Sequence, residues 1–218
     1  MANKRHKVVE VLLDRHGETF AHELGVDLTR NTPTPLFRIL GLALLTSAPV
    51  GADQAMRACR ALAKAGLTTP RKMADSSWEE RVKVLNGNGY ARYDEKTASQ
   101  LEALTEHLQA EYAGDLRKLR ERANGDPAEA RRLLKEFKGI GGVGADIFLR
   151  EVQICWEEIA PFADKMALKS SAKLGLGDDV AALSECVKGD TPRFCRLVAA
   201  LVRSQLAKDH KQILKEAS

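Results

Sequence analysis

The chain of 218 residues is predicted to be all-α, on three observations. Apolar residues recur at helical spacing: Thr97, Leu101, Leu104 and Leu108 follow i, i+4, i+7, i+11, and Trp78, Val82 and Leu85 keep the same interval. Helix-start chemistry is explicit at Asp126-Pro127 and Thr191-Pro192, where a capping residue precedes a proline, which suits a first helical turn. No segment alternates with period two between turn signals, and aromatic residues make up only 5% of the chain, so sheets are not expected. About ten helices follow from this pattern.

Taken in order, the N-terminal MANKRHKVVEVLLDRHGE is basic but lacks the apolar stretch and cleavage site of a secretory signal. LTRNTPTP, from Leu28 to Pro35, clusters proline and polar residues and marks the best boundary of the first half. The apolar helix LFRILGLALL follows; its run LGLALLTSAPVGA is shorter than the roughly 20 residues of a membrane span. Gly66 stops the next helix, and Ser76 and Ser77 ahead of Glu79 and Glu80 read as a double capping box for the helix carrying Trp78. Further stops fall at Gly114 and at Gly175-Leu-Gly177.

At 44% apolar residues the chain can bury a real core, and its net charge of +4 is mild. Residues 188–218 concentrate the excess, with seven Lys/Arg against three acids, a bias that suits either a polyanion partner or a solvated helix face. Cys59, Cys155, Cys186 and Cys195 show no CxxC spacing and lie in apolar runs, which favours small buried hydrophobes in a reducing compartment. The five histidines show no metal-ligand spacing, and no metal is expected. A cytoplasmic protein is the expectation.

The stretch FKGIGGVGADIFL, Phe137 to Leu149, raises a sharper question. Gly139, Gly141, Gly142 and Gly144 sit between the amphipathic run ARRLLKEF and the apolar run ADIFLREVQIC, where a plain helix would be favoured by about 1 kcal/mol per glycine replaced. Two physical readings are open: a tight interhelical turn whose left-handed positions favour glycine, or bare N–H groups at a helix start that meet a phosphate.

About twenty residues on comes PFADKMALKSSAKLGL, Pro161 to Leu176. Together, the two stretches resemble the helix-hairpin-helix DNA glycosylase superfamily, in an endonuclease III-like layout: a hairpin of form LPGVGxKTA, then an Asp, then a helix ending in Arg/Lys-Leu-Gly. Phe137-Lys138-Gly139-Ile140-Gly141 matches the hairpin, Asp164 the catalytic aspartate and Lys173-Leu174-Gly175 the helix end. LALLTSAPVGAD, Leu42 to Asp53, resembles the early helix and the loop that enters the duplex, and GNGYARYDEK, Gly87 to Lys96, the segment at the lesion-pocket entrance.

The resemblance implies a two-lobed fold: a central helical barrel with the hairpin over residues 34–155, and a second lobe from 1–33 plus 156–218 carrying Asp164. It implies a DNA glycosylase acting as a monomer on double-stranded DNA that contains a lesion, nucleoid-associated, with no membrane contact. No cofactor is expected save a monovalent cation at the hairpin carbonyls. DNA contacts are expected from Gly139, Ile140, Gly141, Gly142 and Gly144, from Lys165 and Lys169, and from Ser47 and Ala48 as the duplex plug. Trp156, Tyr90 and Tyr93 are candidates for stacking an extruded base, or for ordinary packing.

Two departures narrow the expected chemistry. The position where lyase-type members carry a lysine holds Val143, and only Cys186 and Cys195 follow Asp164, too few thiolates for an iron–sulfur cluster. A monofunctional glycosylase is therefore expected, with a non-catalytic DNA-binding module as the rival. Asp164 also precedes a helix, where an N-cap is the ordinary use of Asp, and the two roles are compatible.

Overall fold

A computed structural model describes the backbone from Ala2 to Ser218 and the side chains from Lys4 onward. Among the described residues there is no strand, and fourteen α-helices run in order: α1 Ala2–His16, α2 Phe20–Glu23, α3 Pro33–Ser47, α4 Ala52–Lys64, α5 Pro70–Ala74, α6 Trp78–Leu85, α7 Asp94–Tyr112, α8 Leu116–Arg122, α9 Pro127–Leu134, α10 Gly142–Val152, α11 Lys165–Leu174, α12 Val180–Cys186, α13 Thr191–Ala207 and α14 His210–Glu216. Part of the excess over the expected ten is α2 and α5, of four and five residues, too short to show periodicity.

The capping chemistry explains most starts. Asp126 caps α9 through its carboxylate and the Ala128 N–H at 2.8 Å, with Pro127 in the first turn. At α13 the cap is Asp190 instead of Thr191: its carboxylate takes the Arg193 N–H at 2.8 Å, and Thr191 becomes the first helical residue. The capping box of α6 is single. Ser77 and Glu80 exchange bonds of 3.1 and 2.9 Å, whereas the Ser76 hydroxyl turns back to the Met73 carbonyl at 2.6 Å.

The chain divides into two compact units, Leu24–Leu149 and Met1–Glu23 with Arg150–Ser218; the sequence reading draws the cuts at 33/34 and 155/156. The first unit is organised on α3, which buries Leu36, Phe37, Ile39, Leu40, Leu42, Ala43, Leu44 and Leu45, and so is covered nearly all round. It packs on α4, α7 and α8, while α6 and α5 lie on α7. The periodic residues Thr97, Leu101, Leu104 and Leu108 are the buried face of α7.

In the second unit α13 is the central helix, packed by α1 and α11, with α14 and α12 completing the layer. Its arginines tie the chain ends together. Arg193 pairs with Glu10, Arg203 pairs with Glu23 and bonds the Glu18 carbonyl at 2.9 Å, and Arg196 bonds the Gly17 carbonyl at 2.9 Å. Three of the seven C-terminal Lys/Arg are thus internal scaffolding, a use that neither the polyanion nor the solvated-face reading named. No helix among the described residues is long and apolar enough to cross a membrane.

Candidate functional site

The glycine hairpin is anchored from within. Phe137 and Ile140 are buried, and the Ile140 N–H closes the turn on the Phe137 carbonyl at 2.9 Å. The His107 ring meets Phe137 edge-on at 4.6 Å. Arg131 of α9 braces the far arm, with Nε 2.6 Å from Asp146 Oδ1 on α10 and Nη2 3.4 Å from the Gly142 carbonyl.

The four glycines have different reasons. Gly139 stands at φ +93°, and a Cβ there would fall 2.5 Å from Leu44 Cδ1 and 2.7 Å from Gln100 Nε2. At Gly144 a Cβ would meet Ser47 Oγ at 2.5 Å and the Ala43 carbonyl at 3.2 Å, so this glycine lets α10 lie close on α3. At Gly142 the neighbour is the movable end of Arg131, 2.9 Å away. Gly141 is exposed, lies outside the left-handed region, and its Cβ would meet nothing within 4 Å. Its carbonyl accepts the Ala145 N–H at 3.0 Å, which makes it the residue that starts α10. The structural reading therefore accounts for Gly139 and Gly144 and leaves Gly141 with no packing or left-handed requirement, only its place as the cap of a helix whose first N–H groups have no intrahelical partner.

The other predicted DNA contacts are distributed as follows. Ser47 ends α3, with its hydroxyl on the Ala43 carbonyl at 2.7 Å, and Ala48 is the C-cap, so neither projects a polar group as a plug. Lys165 and Lys169 are exposed on α11, one turn apart. Trp156 and Tyr90 are fully buried. The Tyr90 hydroxyl donates to the Leu45 carbonyl at 2.7 Å, and burial pushes its pKa up to about 12. Both therefore serve packing, whereas Tyr93 is half-buried, with the Arg92 guanidinium 5.5 Å from its ring centre. Of the hairpin carbonyls at which a cation was expected, those of Phe137, Gly141 and Gly142 already accept from Ile140, Ala145 and Arg131.

Asp164 is the N-cap of α11, with Oδ1 accepting the Ala167 N–H at 2.9 Å. Its second oxygen accepts from Arg150 Nη1 at 2.7 Å, and the side chain is 10% exposed. The Arg150 side chain is itself 5% exposed; its Nε lies 3.2 Å from Glu151 Oε1, and its guanidinium sits 4.8 Å from the Phe20 ring centre. Glu151 Oε2 in turn accepts the Ala21 N–H at 2.9 Å. The approach to Asp164 is pinned by Gln153, whose side-chain amide exchanges two 2.9 Å bonds with the Phe162 backbone. Arg150 and Glu151 were not among the sequence candidates. The signal was two adjacent charges inside the apolar run ADIFLREVQIC.

Two internal hydrogen bonds use about half of a carboxylate's roughly four acceptor directions. Asp164 is thus fixed in place with capacity left for a further partner. Among the described residues no group of three or more His, Cys, Asp or Glu could hold a metal, and all four cysteines are free thiols.

No family model matches the chain, and no curated protein matches it. Among solved structures, a trapped endonuclease III–DNA covalent intermediate, an estranged-adenine complex, is similar at a TM-score of 0.48 and 16% identity, covering 79% of this chain and 73% of that one.

Proposed function

We propose that this protein is a monofunctional DNA glycosylase, which holds duplex DNA with the Gly139–Gly144 hairpin and hydrolyses the N-glycosidic bond of a damaged or mismatched base at Asp164. The observation that carries the reading is Gly141: an exposed glycine that neither packing nor backbone geometry requires, at the start of an 11-residue helix. Bare backbone at that point suits the close approach of a phosphate, which fixes the duplex without reading its sequence.

The target base must leave the stack before its glycosidic carbon is accessible. Cleavage then develops positive charge on the sugar, which a fixed carboxylate stabilises, or the same carboxylate orients the attacking water. Arg150 and the Ala167 N–H hold Asp164 in one orientation, so little reorganisation accompanies the step. Val143, at 66% exposure, supplies no nucleophile, and the abasic strand is left intact. The test is incubation with a panel of duplexes, each bearing one lesion, followed by alkaline cleavage of abasic sites.

A second reading is favoured by one observation, the occupation of both Asp164 oxygens by partners inside the protein. It is a non-catalytic module that keeps the DNA-binding hairpin. Duplex binding without base release across the panel would select it.

A further inference from the structure

The cationic face of α4 lies against the Asn86–Tyr90 turn, in the same unit as the hairpin. Arg57, Arg60, Ala61 and Lys64 follow i, i+3, i+4, i+7 and form one face, while Ala55, Met56, Ala58 and Leu62 are buried on the other. Opposite them stand Gly87, Asn88 and Gly89, and the two sides enclose an open depression of about 490 Å³. No acid lines it. The acid in the first turn of α4, Asp53, lies beyond the lining, and among the described residues Arg57 and Lys64 make no ion pair.

The turn is a built wall. Asn88 Nδ2 donates to the Val84 carbonyl at 2.7 Å, Asn86 Nδ2 to Asp94 Oδ2 at 2.6 Å, and the Gln54 side-chain amide to the Gly89 carbonyl. Gly89 needs glycine for its φ of +83°, but Gly87 does not: its φ lies outside the left-handed region and an added Cβ would meet nothing. Bare backbone thus faces a row of cations at a place where packing does not ask for it.

We propose that this depression is a second contact for the phosphodiester backbone of DNA. Arg57 and Lys64 are seven residues apart, about 10 Å along a helix. A DNA strand advances about 3.4 Å per nucleotide, so the row is long enough to meet more than one phosphate. The depression has no large apolar rim, since the exposed large hydrophobics among the described residues are Val143, Met166 and Leu206. The contact goes beyond the proposed function, because it does not depend on whether Asp164 cleaves anything.

The experiment compares Arg57→Gln/Lys64→Gln with the parent protein. Both residues are on the surface, so the fold is expected to persist, and a thermal melt checks it. Duplex binding is titrated against salt, and losing two phosphate contacts should flatten the log–log slope by about 1.8. Amide resonances of Gly87 and Gly89 should also shift when the parent protein is titrated with a thymidine pentanucleotide, and stay still in the variant. Unchanged slope together with unmoved glycine resonances would overturn the proposal. Shifts produced by inorganic phosphate but not by the pentanucleotide would overturn the assignment to DNA. A Gly141→Asp variant separates the two readings: full duplex affinity there, with a flattened slope in the double variant, removes the hairpin from the interface and keeps this contact.

Discussion

Arg150 holds Asp164 from inside the fold: its Nη1 lies 2.7 Å from the carboxylate oxygen that the helix cap leaves free. The same guanidinium reaches Glu151 at 3.2 Å, so one buried cation answers two buried acids. Buried ion pairs contribute little net stability, because desolvation offsets attraction, yet removing one partner is costly.

Arg150→Met should therefore destabilise the protein by about 3–5 kcal/mol in denaturant titration, since it leaves Glu151 and Asp164 without their cation. Adding Glu151→Gln, which keeps an acceptor for the Ala21 N–H, should restore part of that loss. A neutral result for Arg150→Met would mean that water reaches the two acids.

Asp164→Asn keeps an acceptor for the Ala167 N–H and deletes the charge. Base release should fall by orders of magnitude while duplex affinity holds or tightens, and stability should drop by about 1–3 kcal/mol from the weakened bond to Arg150. Single-turnover assays on a cleavable lesion measure the first effect. Retained turnover would reduce Asp164 to a cap and an ion-pair partner.

The hairpin glycines separate folding from binding. Gly139→Ala puts a side chain at φ +93° and 2.5 Å from Leu44 Cδ1, and should cost about 1–3 kcal/mol. Gly141→Ala meets nothing and should cost under about 1 kcal/mol, as a poorer cap, yet weaken duplex binding. If both variants lose stability equally and bind equally well, Gly141 is an ordinary turn residue.

What was legible in the sequence was local. Asp126-Pro127 and Ser77-x-x-Glu80 announced their helices because a cap and its partner lie within one turn. Thr191 was displaced by its neighbour Asp190, which offers the better acceptor at a position that allows either. The glycine cluster was visible as a cluster, but the reasons for each member depend on Leu44, Gln100 and Ser47, brought there only by packing. Arg150 and Asp164 are fourteen residues apart with a turn between them, and no periodicity joins them. The α4 row carries no signal of its own in the sequence, because Arg57, Arg60 and Lys64 have the spacing of any solvated face until the fold sets the Gly87–Gly89 turn opposite.

Alkaline pH should unfold the protein through buried acids. Burial pushes the Cys195 thiol and the Tyr90 phenol each up to about 12 in the folded state, from ordinary values of 9.0 and 10.0. Above those ordinary values the unfolded chain loses protons that the folded chain keeps, so stability falls as pH rises. The denaturation midpoint should be insensitive to these two groups below about pH 9 and decline from there toward about pH 12. Cys195→Ala should flatten the first part of that decline; an unchanged profile would show that the thiol ionises equally in both states.

The last expectation concerns the strand after the base has gone. Lyase chemistry needs a neutral amine at the sugar's anomeric carbon, and the position that the sequence resemblance would assign to it holds Val143, second residue of α10 and 66% exposed. Lys165, exposed at the first position of α11 and next to Asp164 in sequence, is the other amine to test. Borohydride should trap no covalent protein–DNA adduct, and product strands should break only after alkali. Val143→Lys places an amine on an exposed turn without disturbing packing, and should introduce weak trapping if that turn lies at the abasic sugar. Efficient trapping by the unaltered protein would overturn the monofunctional assignment, and Lys165→Gln would then show whether Lys165 supplies the amine.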